Sequence, residues 1–294
     1  VPELPEVETI KEDLRALVVG SRIERAEIRD EKLVEEALAE GFSASLSGNT
    51  ILDVSRRGKH LILELEDDKR AAFQLKIGGQ LLLVPPVEEP ANCVMLVLHL
   101  ENLEGGGRLF LRDETGYTRA QLLTAQALRE RLERLGPEPL EPGFSVEYLR
   151  RVAGNRRSQI KPLILDQSIA SGVGNIYADE ALYDARIHPR RKASSLSEAE
   201  WDALHRAVRE NLAAGVEHRG TTFSLYRDVL GREGGHQHHL KVFLREGEPC
   251  PACDSDIIRE QVGGRATFLC PACQEERVAG EPSGGGDLQL ELGL

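Results

Sequence analysis

The chain has 294 residues, of which 40% are hydrophobic and 29% charged, and a formal net charge of −12; these proportions exclude collagen-like and wholly disordered sequences. Its longest uncharged apolar stretch, Ala91–Leu100, has ten residues, where a membrane helix needs about twenty. Glu3, Glu6 and Glu8 stand where a secretory signal would be basic, so a cytoplasmic protein is expected.

The first element is a helix. Pro5 suits a first helical turn, Val7, Ile10, Leu14, Leu17 and Val18 recur at three- and four-residue steps, and Gly20 closes it. Short strand candidates follow at 22–29, 50–55, 60–66, 71–77, 81–84, 93–100 and 109–112, separated by Gly58, Asp67-Asp68, Gly78-Gly79 and Gly105–Gly107. Many short strands between turns argue for a sandwich or a barrel. In 60–66, Leu61, Leu63 and Leu65 alternate with Ile62, Glu64 and Glu66, a strand with one buried face. Cys93 reads as a small core residue of an apolar strand.

The pattern changes at the linker Gly136-Pro137-Glu138-Pro139, after which helices are expected at 145–153, 158–165, 175–185 and 197–214. Ser197 and Glu200 have capping-box spacing. Residues 220–239 read as a long loop, and the tail from about Gln274, with three consecutive glycines, as disordered.

Charge is unevenly placed. Residues 1–149 carry 28 acidic and 18 basic side chains, whereas residues 150–273 carry 16 and 18. Arg150, Arg151, Arg156, Arg157 and Lys161 form one basic cluster, and Arg186, Arg190, Arg191 and Lys192 another. Each fits a solvated helix face or a phosphate-binding face.

Four of the five cysteines have the spacing Cys250-x2-Cys253-x16-Cys270-x2-Cys273. This is the two-knuckle pattern of a tetrahedral structural zinc site, its insert long enough for a hairpin turning at Gly263-Gly264. Four thiolates close the coordination sphere, so the expected zinc is structural. His236, His238 and His239 lie together in the glycine-rich loop and are assigned to solvent or nucleic acid rather than to a metal.

Pro2-Glu3-Leu4-Pro5-Glu6-Val7-Glu8 closely resembles the N-terminus of the formamidopyrimidine-DNA glycosylase and endonuclease VIII family. Ile160-Lys161-Pro162 with Gly172-Val173-Gly174-Asn175-Ile176-Tyr177-Ala178 is similar to that family's helix–two-turn–helix. Gly220-Thr221-Thr222 is similar to the start of its recognition loop, and Gly264-Arg265-Ala266-Thr267-Phe268 to its zinc-finger hairpin.

The resemblance implies an α+β multidomain fold: an N-terminal catalytic β-sandwich with a leading helix (1–136), a helix–two-turn–helix DNA-binding domain (137–245), a zinc finger (246–275) and an acidic tail (276–294). It implies a monomer that binds damaged double-stranded DNA, excises oxidised purines such as formamidopyrimidines and 8-oxoguanine, and cuts by β,δ-elimination. Pro2 is then the nucleophile, Glu3 the proton carrier and Lys59 the catalytic-site lysine that binds phosphate beside the lesion. Asn175, Arg265 and Lys161 contact DNA, Ile77 and Tyr117 enter or stack on it, and Cys250, Cys253, Cys270 and Cys273 hold one zinc.

The chemistry of the terminus supports this independently. An α-amine has a pKa near ~8 against ~10.4 for lysine, so roughly a tenth is unprotonated at neutral pH. A secondary amine gives a permanently cationic iminium, an electron sink for elimination. This requires Val1 to mark an alternative start codon, read as methionine and removed. Glu6, by contrast, reads as a structural helix-start acid.

Two blocks depart from the family's purine-lesion members. Gln74-Leu75-Lys76-Ile77-Gly78-Gly79 stands for a His-Leu-Gly-Met block, and Asp113-Glu114-Thr115-Gly116-Tyr117-Thr118 for Asp-Pro-Arg-Arg-Phe-Gly. In the recognition loop, His236 follows Gly234-Gly235 where an aromatic is usual. Two alternatives therefore stand beside the first reading: an endonuclease VIII-like enzyme for oxidised pyrimidines or hydantoins, and a zinc-dependent damaged-DNA-binding protein without activity.

Overall fold

In the computed structural model, which describes residues 2–34, 39–87, 91–102 and 107–276, helix α1 (Leu4–Val18) turns Val7, Ile10, Leu14 and Val18 into one core. The chain continues through β1 (Arg22–Ile28), α2 (Ala39–Leu46), β2 (Ile51–Arg57), β3 (His60–Leu65), β4 (Lys69–Gln74) and β5 (Gln80–Val84), then β6 (Val94–Glu101), β7 (Gly107–Arg112), β8 (Arg119–Thr124) and α3 (Ala125–Leu132). Two antiparallel four-stranded sheets result, ordered β1-β6-β7-β5 and β2-β3-β4-β8. Leu96, Leu98, Leu109 and Leu111 from the first face Val54, Leu61, Leu63 and Phe73 from the second, the β-sandwich expected from the strand pattern.

The sequence expectation for β3 needs correction. Leu61, Leu63 and Leu65 enter the main core, but Ile62 is also buried, on the opposite face with Ala72 and under Leu128 of α3. That covering helix carries little periodicity; it begins where the Thr124 hydroxyl accepts the Ala127 N–H at 3.2 Å. The strand expected over 71–77 ends at Gln74, and Ile77 belongs to the turn closed by Gly79 N–H to the Leu75 carbonyl at 2.9 Å. Cys93 lies just before β6, half-buried, its Sγ accepting from Arg112 Nε at 3.0 Å.

Beyond the linker come α4 (Val146–Ala153), α5 (Ile160–Leu165), α6 (Asn175–Asp184) and α7 (Glu198–Glu217). Ser145 caps α4 from the Tyr148 N–H at 3.1 Å, and Ser197 with Glu200 forms the expected capping box on α7. These helices share a second core of Leu149, Ile164, Tyr177, Leu182, Trp201 and Leu212.

Both parts exchange residues. Leu4 is buried in the helical core, while Tyr226 and Val229 of the 220–239 segment are buried in the sandwich core. That segment is a loop with a short 3-10 turn at His236–His239, and it is firmly seated. Leu83 N–H donates to the Val229 carbonyl at 2.8 Å, and Arg219 pairs with Asp13 of α1 at 2.6 Å and with Asp228 at 2.8 Å. The chain ends its described part in the hairpin β9 (Ile258–Val262) and β10 (Arg265–Leu269). Its two-residue turn, Gly263-Gly264, has φ of +57° and +75°, which glycine adopts without strain. Val1 and the tail expectation beyond Glu276 lie outside the described residues. Among the described residues no helix is long and apolar enough to cross a membrane.

Candidate active site and nucleic-acid interface

Pro2 and Glu3 are both buried where the N-terminal segment meets Gly172 and the start of α6. The Leu4 N–H donates to the Gly172 carbonyl at 3.0 Å. Glu3 then aims its carboxylate at the start of α6, where Oε1 accepts the Ile176 N–H at 2.9 Å. Free N–H groups and the helix dipole make that position suited to a carboxylate. Gly174 makes the approach possible: a Cβ there would lie 2.3 Å from Glu3 Cδ. Pro2 lines a cavity of about 70 Å³ with Ile77, Ile176, Thr221, Phe223 and Leu225.

Glu6 is more than a helix-start acid. Its carboxylate accepts the Glu3 N–H at 2.8 Å, the Thr221 N–H at 2.7 Å and the Tyr177 hydroxyl at 2.8 Å. One side chain thereby joins the N-terminal segment, the recognition-loop start and α6. Burial, with the Glu3 charge beside it, pushes the Glu6 carboxyl up to about 7.

Lys59 sits in the β2–β3 turn, half-buried. Burial lowers its pKa against the attraction of Glu3 and Glu6, with Arg265 and Lys76 adding to the lowering. Charged groups from three other parts of the chain thus act on Lys59. Arg265 is exposed at the start of β10. Asn175 is half-buried and donates from Nδ2 to the Ala266 carbonyl at 2.9 Å, tying α6 to that strand.

Lys161 corrects the sequence expectation of a DNA contact. It is fully buried, 2.7 Å from Asp179, and donates to Thr267 Oγ1 at 2.7 Å and the Ala266 carbonyl at 3.1 Å. It cannot reach a phosphate; with Asp179, which accepts the Phe268 N–H at 3.0 Å, it fixes β10 and so the base of Arg265. Burial drives the Asp179 carboxyl up to about 7, and Lys161 counters that. Arg191, counted in the second basic cluster, is likewise buried and paired with Glu200 at 3.0 Å.

Ile77 and Tyr117 are 50% and 58% exposed, so each presents apolar surface to solvent. Their loops are one unit. Asp113 accepts the Thr115 and Thr118 N–H groups at 2.7 and 2.8 Å, and Thr118 Oγ1 donates to the Leu75 carbonyl at 3.0 Å. His236 departs from the expected solvent or nucleic-acid contact. It is buried, stacked on Tyr177 at 5.4 Å, and burial lowers its pKa to about 4; His238 and His239 are exposed.

The four Sγ atoms of Cys250, Cys253, Cys270 and Cys273 lie within 4.8 Å of one another. Cys253 is 3.4 Å from Cys270 and 3.5 Å from Cys273, and Cys250 is 3.9 Å from Cys273. Sulfurs about 2.3 Å from a shared tetrahedral zinc stand about 3.8 Å apart, and the set matches. The Ala252 and Cys273 N–H groups point at Cys250 and Cys270 Sγ, each at 3.4 Å, as knuckle turns do. These cysteines hold one structural zinc ion.

Three family models match the chain in order. Residues 1–120 match the formamidopyrimidine-DNA glycosylase N-terminal domain, residues 135–227 its H2TH domain, and residues 247–275 the zinc finger found in FPG and IleRS. The formamidopyrimidine-DNA glycosylase of Pelotomaculum thermopropionicum is 39% identical over 277 residues, 94% of this chain and 99% of that protein. This chain belongs to the formamidopyrimidine-DNA glycosylase family. Among solved structures, the MutM (Fpg) protein from Thermus thermophilus superposes with a TM-score of 0.84 at 40% identity, covering 94% of this chain and 100% of that one. A Lactococcus lactis FPG mutant in complex with a Fapy-dG-containing DNA gives 0.87 at 33% identity, again over 94% and 100%.

Within this family frame, Glu6, Tyr177 and Asp179 are the site residues that sequence reasoning missed. Each is a polar residue in a run that reads as ordinary helix, and burial alone distinguishes them. Tyr177 and Asp179 do share α6 with Asn175, two and four residues on, which was the available signal.

Proposed function

We propose that this chain, a bifunctional DNA glycosylase and AP lyase of base-excision repair, attacks C1′ of a damaged nucleotide with the secondary amine of Pro2. The attack requires a chain that begins at Pro2. The amine nitrogen forms a bond to C1′, the base departs with its bonding electrons, and the sugar ring opens as the iminium forms. Glu3 carries the proton to and from the sugar oxygen, and the α6 N–H holds its carboxylate in place. With the iminium as electron sink, the C2′ proton is lost to water as the 3′ phosphate departs with its C–O bonding electrons, and loss of the C4′ proton to water then expels the 5′ phosphate in a second elimination.

Lys59, Arg265 and Asn175 clamp the phosphates around the extruded nucleotide, contacts that position the duplex and read no sequence. Ile77 enters the vacated stack as an apolar wedge, and Tyr117 stacks beside it. The enzyme acts as a monomer in the bacterial cytoplasm on damaged duplex DNA. The observation that carries this reading is that buried Pro2 lines a small cavity with Ile176 while buried Glu3 accepts the Ile176 N–H at the start of α6.

Duplexes carrying formamidopyrimidine, 8-oxoguanine or an oxidised pyrimidine, each opposite each base, test it. Excision of the purine lesions, leaving a gap with phosphate at both ends, is expected. Faster excision of the pyrimidine lesion would favour the endonuclease VIII-like alternative. Binding without excision would reduce the chain to a damage-binding protein.

A further inference from the structure

The linker that joins the sandwich to the helices carries Glu138, which is 8% exposed. Its Oε1 accepts the Gly58 N–H at 2.6 Å, Arg56 Nη1 at 3.0 Å and Arg57 Nη1 at 3.3 Å, and its Oε2 accepts Arg56 Nη2 at 2.6 Å. Arg56 also reaches Glu8 of α1 at 2.6 Å, and Arg57 donates to the Leu135 and Gly136 carbonyls at 3.1 and 2.7 Å. One carboxylate thus serves four donors from three consecutive residues, and the next residue is Lys59.

The turn is gripped from its other side as well. Gly58 has φ of +59°, and a Cβ there would lie 2.5 Å from Ser171 Oγ. Ser171 immediately precedes Gly172, whose carbonyl holds the Leu4 N–H. The same two residues therefore receive the Lys59 turn on one side and the N-terminal segment on the other. Buried ion pairs add little net stability, because desolvation offsets their attraction. Fixing a backbone is the use that fits four converging donors.

We propose that Glu138 is a positioning residue for base excision: by clamping the end of β2 (Arg56, Arg57) and Gly58 of the following turn to the linker, it sets the place of the Lys59 ammonium relative to Pro2 and Glu3. Glu138 touches no DNA. The inference rests on the role assigned to Lys59 above. A misplacement of about 1 Å slows an oriented reaction by up to roughly a hundredfold, and a turn freed from Glu138 is displaced on that scale.

The test is a double-mutant cycle in the full chain starting at Pro2: wild type, Glu138→Gln, Lys59→Met and both together. Single-turnover excision of a formamidopyrimidine opposite cytosine is measured, with affinity for a duplex bearing a tetrahydrofuran abasic analogue. Glu138→Gln is expected to slow excision about ten- to a hundredfold with less than about threefold change in affinity. In the Lys59→Met background it should add less than about twofold. Losses that multiply, when Lys59→Met alone is costly, overturn the clamp and leave the role of Lys59 standing. A silent Lys59→Met overturns both. If Glu138→Gln does not fold, Glu138→Asp, which keeps the charge on Arg56 and loses reach to Gly58, takes its place in the cycle.

Discussion

Glu3 and Glu6, three residues apart on one helical turn, have opposite assignments because their surroundings differ. Glu3 faces the N–H groups of α6 and the cavity that holds Pro2, whereas Glu6 is enclosed by Thr221, Tyr177 and the backbone of Glu3. With the Glu6 carboxyl raised from 4.5 to about 7, the native chain keeps a proton there that the unfolded chain has released. Stability should therefore fall as pH rises from about 4.5 through 7, by on the order of 3 kcal/mol. Urea unfolding at pH 5.5, 7 and 8.5 should show about 2 kcal/mol of that decline, and Glu6→Gln should remove it; an equal slope in the variant would remove Glu6 as its source. Gly174→Ala probes the neighbouring contact. Its new methyl would meet the Glu3 carboxyl 2.3 Å away, and single-turnover excision should drop at least about tenfold while the duplex still binds. Pro2 and Glu3 stood out in the sequence because the proposed chemistry needs those residue types, and the fold buries both, with Glu3 on the first N–H groups of α6. Lys161 was misread, because a lysine in a basic run gives no sign that Asp179, eighteen positions on, takes it into the interior.

The strands were legible where apolar residues alternate or run together, as in β3 and β6. The edge strand β8, Arg-Ala-Gln-Leu-Leu-Thr, was not, since it borrows its order from pairing with β4. Nor was α3, whose exposed face is charged and whose one buried residue is Leu128. The zinc hairpin was fully legible, since metal ligation dictates spacing. Its consequence is mechanical: zinc on one side and Lys161 with Asn175 on the other hold β10, and β10 presents Arg265. Cys250→Ser is accordingly expected to lose the metal by elemental analysis and to weaken duplex binding about as much as Arg265→Ala does. Full binding by a metal-free variant would separate the zinc from the DNA contact.

At the scale of the whole molecule, a chain of net charge −12 is proposed to bind a polyanion through a local cluster to which Lys59 and Arg265 belong, and part of the basic surplus is used inside the fold. The association constant should fall with salt at a slope of about −0.9 per neutralised phosphate, hence near −2 or steeper for those two cations. Removing the residues after Arg277, which carry acids at Glu281, Asp287 and Glu291, should leave excision intact and tighten binding; salt-independent binding would contradict the proposed cleft. Domain order was legible from composition and motifs. The crossing of Leu4 into the helical core and of Val229 into the sandwich core was not, because neither residue signals which of two cores receives it. That crossing brings the N-terminal segment, α6 and the start of the 220–239 loop together at Glu6. Borohydride added during turnover by the chain beginning at Pro2 should reduce the iminium and leave protein covalently joined to DNA, with peptide mapping placing the adduct on Pro2. An adduct on a lysine, or equally fast cutting with Val1 still attached, would contradict Pro2 as the nucleophile.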